Sequence, residues 1–246
     1  MKATTVIRAL GPIDLKNVWR DSLLRWMLVM PFGFGLMFLW LVPVAQARLV
    51  EDFDITLVPY YPLLASFLLL TMPTISGVVI GFLLLDQRDD QTLAALQVTP
   101  LTATGYLTYR LAIPTLLSIL TTLAVMPWIG LVQMSLAELT LAALTVAPLA
   151  PLFALFLVGF AANKVQGFAL MKAAGVLNWP PIIAYFIDSN WQLACGIVPT
   201  YWPAKVFWML ARDETGVWPF VGAALLYQAA LLWWLVRRFE RVLGGR

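Results

Sequence analysis

Apolar positions in this chain fall in long unbroken blocks. They show neither the alternation of a half-buried strand nor the narrow stripe of a soluble amphipathic helix. Six blocks read as membrane helices, at residues 27–45, 63–85, 111–133, 139–162, 173–187 and 218–236. A span needs about 20 predominantly apolar residues. The fifth block is short and contains Pro180-Pro181. Residues 168–171 make up its length, leaving Lys172 to snorkel. Only residues 133–138 separate the third block from the fourth, so those two are expected to be antiparallel neighbours. The pattern predicts an all-α polytopic membrane protein with six spans, residues 27–246 forming one transmembrane domain.

The stretches between the blocks are short. Residues 1–26 are expected to form an amphipathic helix on the cytoplasmic membrane surface, opened by Gly11-Pro12. Ile13, Trp19, Leu23 and Trp26 form its apolar side, and Asp14, Asn17, Asp21 and Arg25 the polar one, with Asp21 and Arg25 as an i,i+4 pair. A plain cationic flank that fixes topology is the alternative. Ala45-Gln46-Ala47 has the form of a signal-peptidase site, but the charged segment before it is too long for an n-region. The first block therefore reads as an uncleaved span, followed by a polar loop over residues 48–54. Gly77 and Gly81 make a GxxxG step that lets helices approach closely. Residues 188–216 are aromatic but broken by Pro199 and Pro203, and read as short interfacial or re-entrant helices on the outer side. Pro31, Pro73, Pro114, Pro127, Pro148 and Pro151 lie within the spans as bends or static kinks.

Composition agrees with the pattern. The 246 residues are 61% hydrophobic and 12% charged, with mean hydropathy +0.85. A soluble domain carries about 25% charged residues. Of the 16 Lys and Arg residues, all but Arg48, Lys205 and Arg212 fall on one side of the membrane if the N-terminus is inside. That bias places both termini in the cytoplasm. The net charge of +3 is no signal for nucleic acid. With no histidine, His-dependent metal sites and Ser-His or Cys-His nucleophiles are excluded. One cysteine, Cys195, cannot form an intrachain disulfide. The span cores hold no Asp, Glu, Lys or Arg, which argues against ion-coupled transport and against an intramembrane carboxylate protease. No GxxxxGK[ST] is present, so the chain has no Walker-type nucleotide site and is not expected to be an enzyme by itself.

One charged island separates the second and third spans, at residues 86–110. Acids at its start, Asp86, Asp89 and Asp90 with Arg88 among them, suit a helix N-terminus. Leu93, Leu96 and Val98 supply an apolar patch, and Pro100 ends the short helix. Thr102 or Thr104 then caps the helix that enters the third span through Tyr106 and Tyr109. The island is either a rigid cytoplasmic elbow for a partner protein or a well-capped connection; its residues fit both.

Asp86, Arg88, Asp89, Asp90, Thr92, Leu93, Thr99, Pro100, Leu101 and Tyr106 resemble the corresponding stretch of the ABC-2 family of permeases, the membrane subunits of ATP-binding-cassette exporters. The family usually has Glu and Gly where this chain has Asp90 and Gln91. Pro199, Thr200, Tyr201, Trp202 and Pro203 are similar to the family's outer motif. The likeness covers nearly the whole layout and extends to bacterial drug-export permeases, including those for fluoroquinolone export.

The resemblance implies an exporter permease in the bacterial inner membrane, moving an amphipathic or apolar substrate outward by alternating access. Two copies of a separate ATPase subunit would bind ATP and Mg, with no cofactor on this chain. A second permease subunit, the same or different, would complete the pore. The elbow would seat in the ATPase and transmit its closure, with Leu96 in its apolar patch. A membrane scaffold or assembly factor without a transport cycle is the competing expectation.

Overall fold

A computed structural model of the chain describes residues 3–89 and 103–244. The described residues are overwhelmingly helical, with no strand among them. Ten α-helices follow in order: α1 Ala3–Arg20, α2 Ser22–Phe53, α3 Tyr61–Asp89, α4 Ala103–Ile129, α5 Leu136–Val146, α6 Leu149–Phe160, α7 Lys164–Gly175, α8 Trp179–Tyr185, α9 Tyr201–Ala211 and α10 Trp218–Gly244. Short 3-10 turns occupy Val58–Tyr60, Val176–Asn178 and Asn190–Ile197.

Five segments are long and apolar enough to cross a membrane: Ser22–Phe53, Val58–Asp89, Thr108–Ile129, Leu136–Phe160 and Trp218–Phe239. The sixth crossing expected at residues 173–187 is not among these five. That stretch is divided among the end of α7, a 3-10 turn and α8, because Pro180 and Pro181 sit in the first turn of α8 and lack the amide hydrogens a continuous helix needs. The fourth span is likewise split at Ala147-Pro148, where Pro148 becomes the cap of α6.

Local chemistry accounts for the boundaries. Asp21 caps α2 by accepting from the amides of Leu23 (2.9 Å) and Leu24 (3.3 Å). The Asp21–Arg25 side-chain pair expected from sequence is therefore replaced by a cap, and the helix expected over residues 1–26 breaks there. α1 also begins well before Gly11, so Pro12 lies inside it rather than opening it. α2 continues to Phe53, so residues 48–53 are helical rather than loop, with Arg48 and Glu51 paired at 3.7 Å. Gln46 on that helix accepts from the Leu57 amide at 2.5 Å, folding the turn after α2 back on it. Ser135 and Glu138 form a reciprocal capping box that starts α5. Gly130, at φ +60°, ends α4 in the left-handed conformation that suits glycine.

α3 is the central helix. It is buried along almost its whole length and packs on α6, α4, α2 and α9. Gly77 and Gly81 lie in the α3–α6 contact. A Cβ on Gly77 would fall 2.2 Å from the Ala150 carbonyl oxygen and 2.8 Å from Phe153 Cβ. A Cβ on Gly81 would fall 2.8 Å from Leu157 Cδ1. The small residues thus let two backbones close to contact.

The bundle has a basic end and an opposite end. Asp21, Asp86 and Lys164 meet at the basic end, where Arg238 of α10 also reaches the Gly159 carbonyl of α6 at 3.1 Å. At the opposite end the Tyr185 hydroxyl donates to the Pro59 carbonyl at 2.7 Å. α9 is not a surface helix: Tyr201, Phe207 and Trp208 are buried, and the Trp208 indole donates to Ser66 of α3 at 2.8 Å.

Candidate functional site

The last turn of α3 runs straight into the segment that precedes α4. Three consecutive residues there, Asp86, Gln87 and Arg88, point in different directions, since successive helical residues are about 100° apart. Asp86 Oδ2 accepts from Lys164 Nζ of α7 at 3.0 Å. The same ammonium donates to Asp21 Oδ2, at the α1–α2 corner, at 2.8 Å. Gln87 Oε1 accepts from Arg110 Nη2 at 2.8 Å and from the Tyr106 hydroxyl at 3.0 Å, both on α4. Arg88 donates to the carbonyls of Val158 (3.1 Å) and Ala161 (2.5 Å), at the C-terminal end of α6. Those carbonyls have no helical partners and carry the negative end of the helix dipole, so a guanidinium suits them. One turn of α3 is thereby joined to α4, α6, α7 and the α1–α2 corner.

α1 enters the cluster through Asp14. Arg110 Nη1 lies 2.7 Å from Asp14 Oδ2, and Nη2 lies 3.2 Å from Oδ1. The Tyr109 hydroxyl donates to Oδ2 at 2.8 Å, and Gln87 Nε2 to Oδ1 at 3.4 Å. Tyr106, Tyr109 and Arg110 share one face of α4 because i, i+3 and i+4 do. The guanidinium also lies over both tyrosine rings, 5.1 and 5.4 Å from their centroids. Arg110 is 2% exposed. A buried pair of this kind fixes geometry more than it adds stability, since desolvation opposes the attraction.

The Lys164 node lies nearer the surface. Burial pushes the Asp21 carboxyl upward, but the Lys164 hydrogen bond and the amides of Leu23 and Leu24 outweigh it and lower its pKa. Burial opposes the charge on Lys164, yet its two carboxylates prevail and raise its pKa.

The structure distributes the sequence-selected residues unevenly. Asp86 and Arg88 are in the cluster, and Asp89 is exposed at the end of α3. Asp90, Thr92, Leu93, Leu96, Thr99, Pro100 and Leu101 lie outside the described residues. Of the expected apolar side of the N-terminal helix, Ile13, Trp19 and Trp26 are exposed and Leu23 is half-buried. Ile13 and Trp19 are about 120° apart around α1 at 3.6 residues per turn, so they do not share one face. Trp26 and Leu23 belong to α2. Asp14, assigned to the polar side from sequence, is buried against the bundle beside Val18.

The outer motif is an anchor for α9. The Thr200 hydroxyl donates to the Leu177 carbonyl, and Trp202 Nε1 to the Gly196 carbonyl at 2.8 Å. Pro203 and Tyr201 are buried, and Pro199 precedes them in the turn that starts α9. A Cβ on Gly196 would meet Trp202 Cζ2 at 2.6 Å, so the indole occupies the space a side chain there would need.

Sequence alone does not single out Asp14, Gln87, Arg110 or Lys164 as functional residues. The available signal was a charge at the mouth of an apolar block, Arg110, preceded by two tyrosines on its own face. A cavity of about 60 Å3 lies toward the opposite end, lined by Met126, Met134, Ile129 and Phe207. It is far smaller than the pockets of roughly 300–1,000 Å3 that take drug-sized ligands. Among the described residues no cluster of acidic or cysteine side chains could hold a metal ion.

Long apolar helices with polar networks gathered at one end define a multi-pass membrane protein, and the relatives make it a transmembrane permease. The chain belongs to the family described as fluoroquinolones export permease protein Rv2686c-like, whose model matches residues 14–236. It is 35% identical over 237 residues to the fluoroquinolones export permease proteins Rv2686c and MT2760 of two Mycobacterium tuberculosis strains, H37Rv and CDC 1551. The match covers 95% of this chain and 94% of each relative. No solved structure matches it significantly.

Proposed function

We propose that this chain is the permease subunit of an ATP-driven drug exporter, in which closure of a separate ATPase is received by residues 86–110 and passed to the bundle through the last turn of α3. The observation that carries this reading is the Asp86–Gln87–Arg88 hub, which bonds to helices on every side at the point where the chain leaves for the expected coupling segment. A displacement of that segment would move α3 and α4 together. It would also pull on α1, α6 and α7 through bonds of 2.5–3.4 Å. Packed helices that switch as rigid bodies are the usual device of such transitions.

Two copies of the ATPase would supply ATP and Mg, since this chain lacks a Walker sequence. A second permease subunit would complete the translocation path between the two. The relatives are fluoroquinolone export permeases by name, which makes a fluoroquinolone, an amphipathic aromatic drug, the first substrate to test.

The basic end faces the cytoplasm in this reading, in the cytoplasmic membrane of a bacterium, with both termini inside. This reading keeps six crossings, the sixth supported by two contacts. Lys164 is tied to the basic end and Tyr185 to the opposite end, so residues 168–187 act as a crossing despite their break. Residues 1–26 then lie at the inner face of the transmembrane domain 27–246, whose residues 188–216 are outside.

The test is a mild-detergent purification of the tagged chain from its native host, followed by mass spectrometry and an ATPase assay. A stoichiometric ATPase whose activity responds to fluoroquinolone is expected. An intact, folded chain recovered without an ATPase would favour a scaffold role instead.

A further inference from the structure

Inner-face charges divide into two groups. The acids beside the α1–α2 corner are paired within the network: Asp14 with Arg110, and Asp21 with Lys164, which also holds Asp86. The cations of the same region are turned out. Lys16, Arg20 and Arg25 are exposed, and none has a carboxylate within ion-pair distance among the described residues. Interior pairing therefore removes the negative charge that would otherwise neutralise this rim. Exposed tryptophans accompany the cations: Trp19 is 66% exposed and Trp26 67%.

Position decides what such a rim meets. Arg25 and Trp26 lie in the first turns of α2, where the chain enters its first long apolar run, and Lys16, Trp19 and Arg20 lie just before the corner at Asp21. Tryptophan prefers the headgroup level of a bilayer, where its ring is half apolar and its N–H finds water. Basic side chains at that level attract anionic lipid. An acidic protein surface would satisfy the cations but leave Trp19 and Trp26, with Leu15 beside them at 67% exposure, without apolar cover.

We infer that Lys16, Arg20 and Arg25, flanked by Trp19 and Trp26, form a binding rim for the phosphate headgroups of anionic phospholipids in the inner leaflet. The inference rests on the orientation proposed above, with the basic end inward. The rim would hold the α1–α2 corner at the headgroup plane, and so fix the position from which Asp14 reaches Arg110 and Asp21 reaches Lys164. Lys172, Arg237 and Arg241 serve as a comparison: they are exposed cations away from the α1–α2 corner, and Arg237 is already stacked 3.9 Å from the Trp233 ring.

The test uses the full-length chain purified alone, so it does not depend on finding an ATPase. The protein is exposed to mixed micelles holding equal phosphatidylglycerol and phosphatidylcholine, and retained lipid is counted by native mass spectrometry. Phosphatidylglycerol should be retained preferentially. The preference should fall by at least about tenfold in Lys16→Gln/Arg20→Gln/Arg25→Gln, since each basic group near an anionic surface contributes about a factor of five. Lys172→Gln/Arg237→Gln/Arg241→Gln should keep most of it. Wild-type thermal unfolding in the first variant shows that it has folded. If it does not fold, wild-type protein at high salt should lose the same preference. Equal retention of the two lipids by the wild type would overturn the proposal, and so would an unchanged preference in the first variant.

Discussion

Arg110, near the start of α4, holds Asp14 of α1 with both terminal guanidinium nitrogens, at 2.7 and 3.2 Å, across 96 positions of sequence. Nothing local to either residue requires the other. The pair joins the N-terminal helix to the span that follows residues 90–102. Breaking a buried pair from one side leaves the other charge without a partner. Arg110→Leu and Asp14→Leu should each cost about 3–5 kcal/mol. The double variant Asp14→Leu/Arg110→Leu should be more stable than the sum of the two losses implies. Thermal unfolding of the detergent-purified chain measures this, and simple additivity would refute the coupling.

The node at Lys164 sets a pH dependence. Asp21 has a lowered pKa, so its contribution is fully present above the usual 3.8 and is lost as pH falls through its folded value. Lys164 has a raised pKa, so its contribution is fully present below the usual 10.5 and is lost as pH rises through its folded value. Between those limits stability should be level from this source. Asp21→Asn should lower that plateau, because the cap weakens and Lys164 loses a carboxylate. The variant and wild-type curves of unfolding temperature should converge as the medium becomes strongly acidic. A constant offset at every pH would contradict the assignment.

Gly77 should tolerate no side chain. Gly77→Ala places a Cβ 2.2 Å from a backbone oxygen of α6, and the central helix pair must separate to admit it. Overpacking of this kind costs about 1–3 kcal/mol. Gly33→Ala, on α2 with nothing within 4 Å of the new atom, is the matched control and should show no loss. Similar melting of the two variants would mean that the α3–α6 contact is not close-packed.

The long apolar helices were legible because a bilayer demands length and apolarity, and both are visible in one dimension. Pro180-Pro181 is visible within the fifth block, but its consequence, three short pieces in place of one helix, needs the backbone. Asp14 reads as a polar-face residue because helical periodicity says which residues share a face and not which face meets protein. Its partner Arg110 reads as an ordinary flanking cation until α1 and α4 are brought together. Asp21 looked like one half of a pair with Arg25, yet a capping carboxylate at a helix corner has nearer amides to bond. Gly77 and Gly81 gave a motif without a partner; α6 supplies Ala150 and Leu157 only in three dimensions.

The measurement that bears most directly on the proposed coupling uses Gln87→Leu. Gln87 carries the bonds from α3 to Arg110 and Tyr106 of α4. In vesicles containing the permease and its ATPase, fluoroquinolone efflux and ATP hydrolysis are recorded together. The variant should fold and bind the ATPase, and should hydrolyse ATP within about twofold of wild type. Its drug efflux per ATP should fall about tenfold, the scale of a coupling loss of roughly 1.4 kcal/mol. Unchanged efflux per ATP in a folded Gln87→Leu complex would contradict the account.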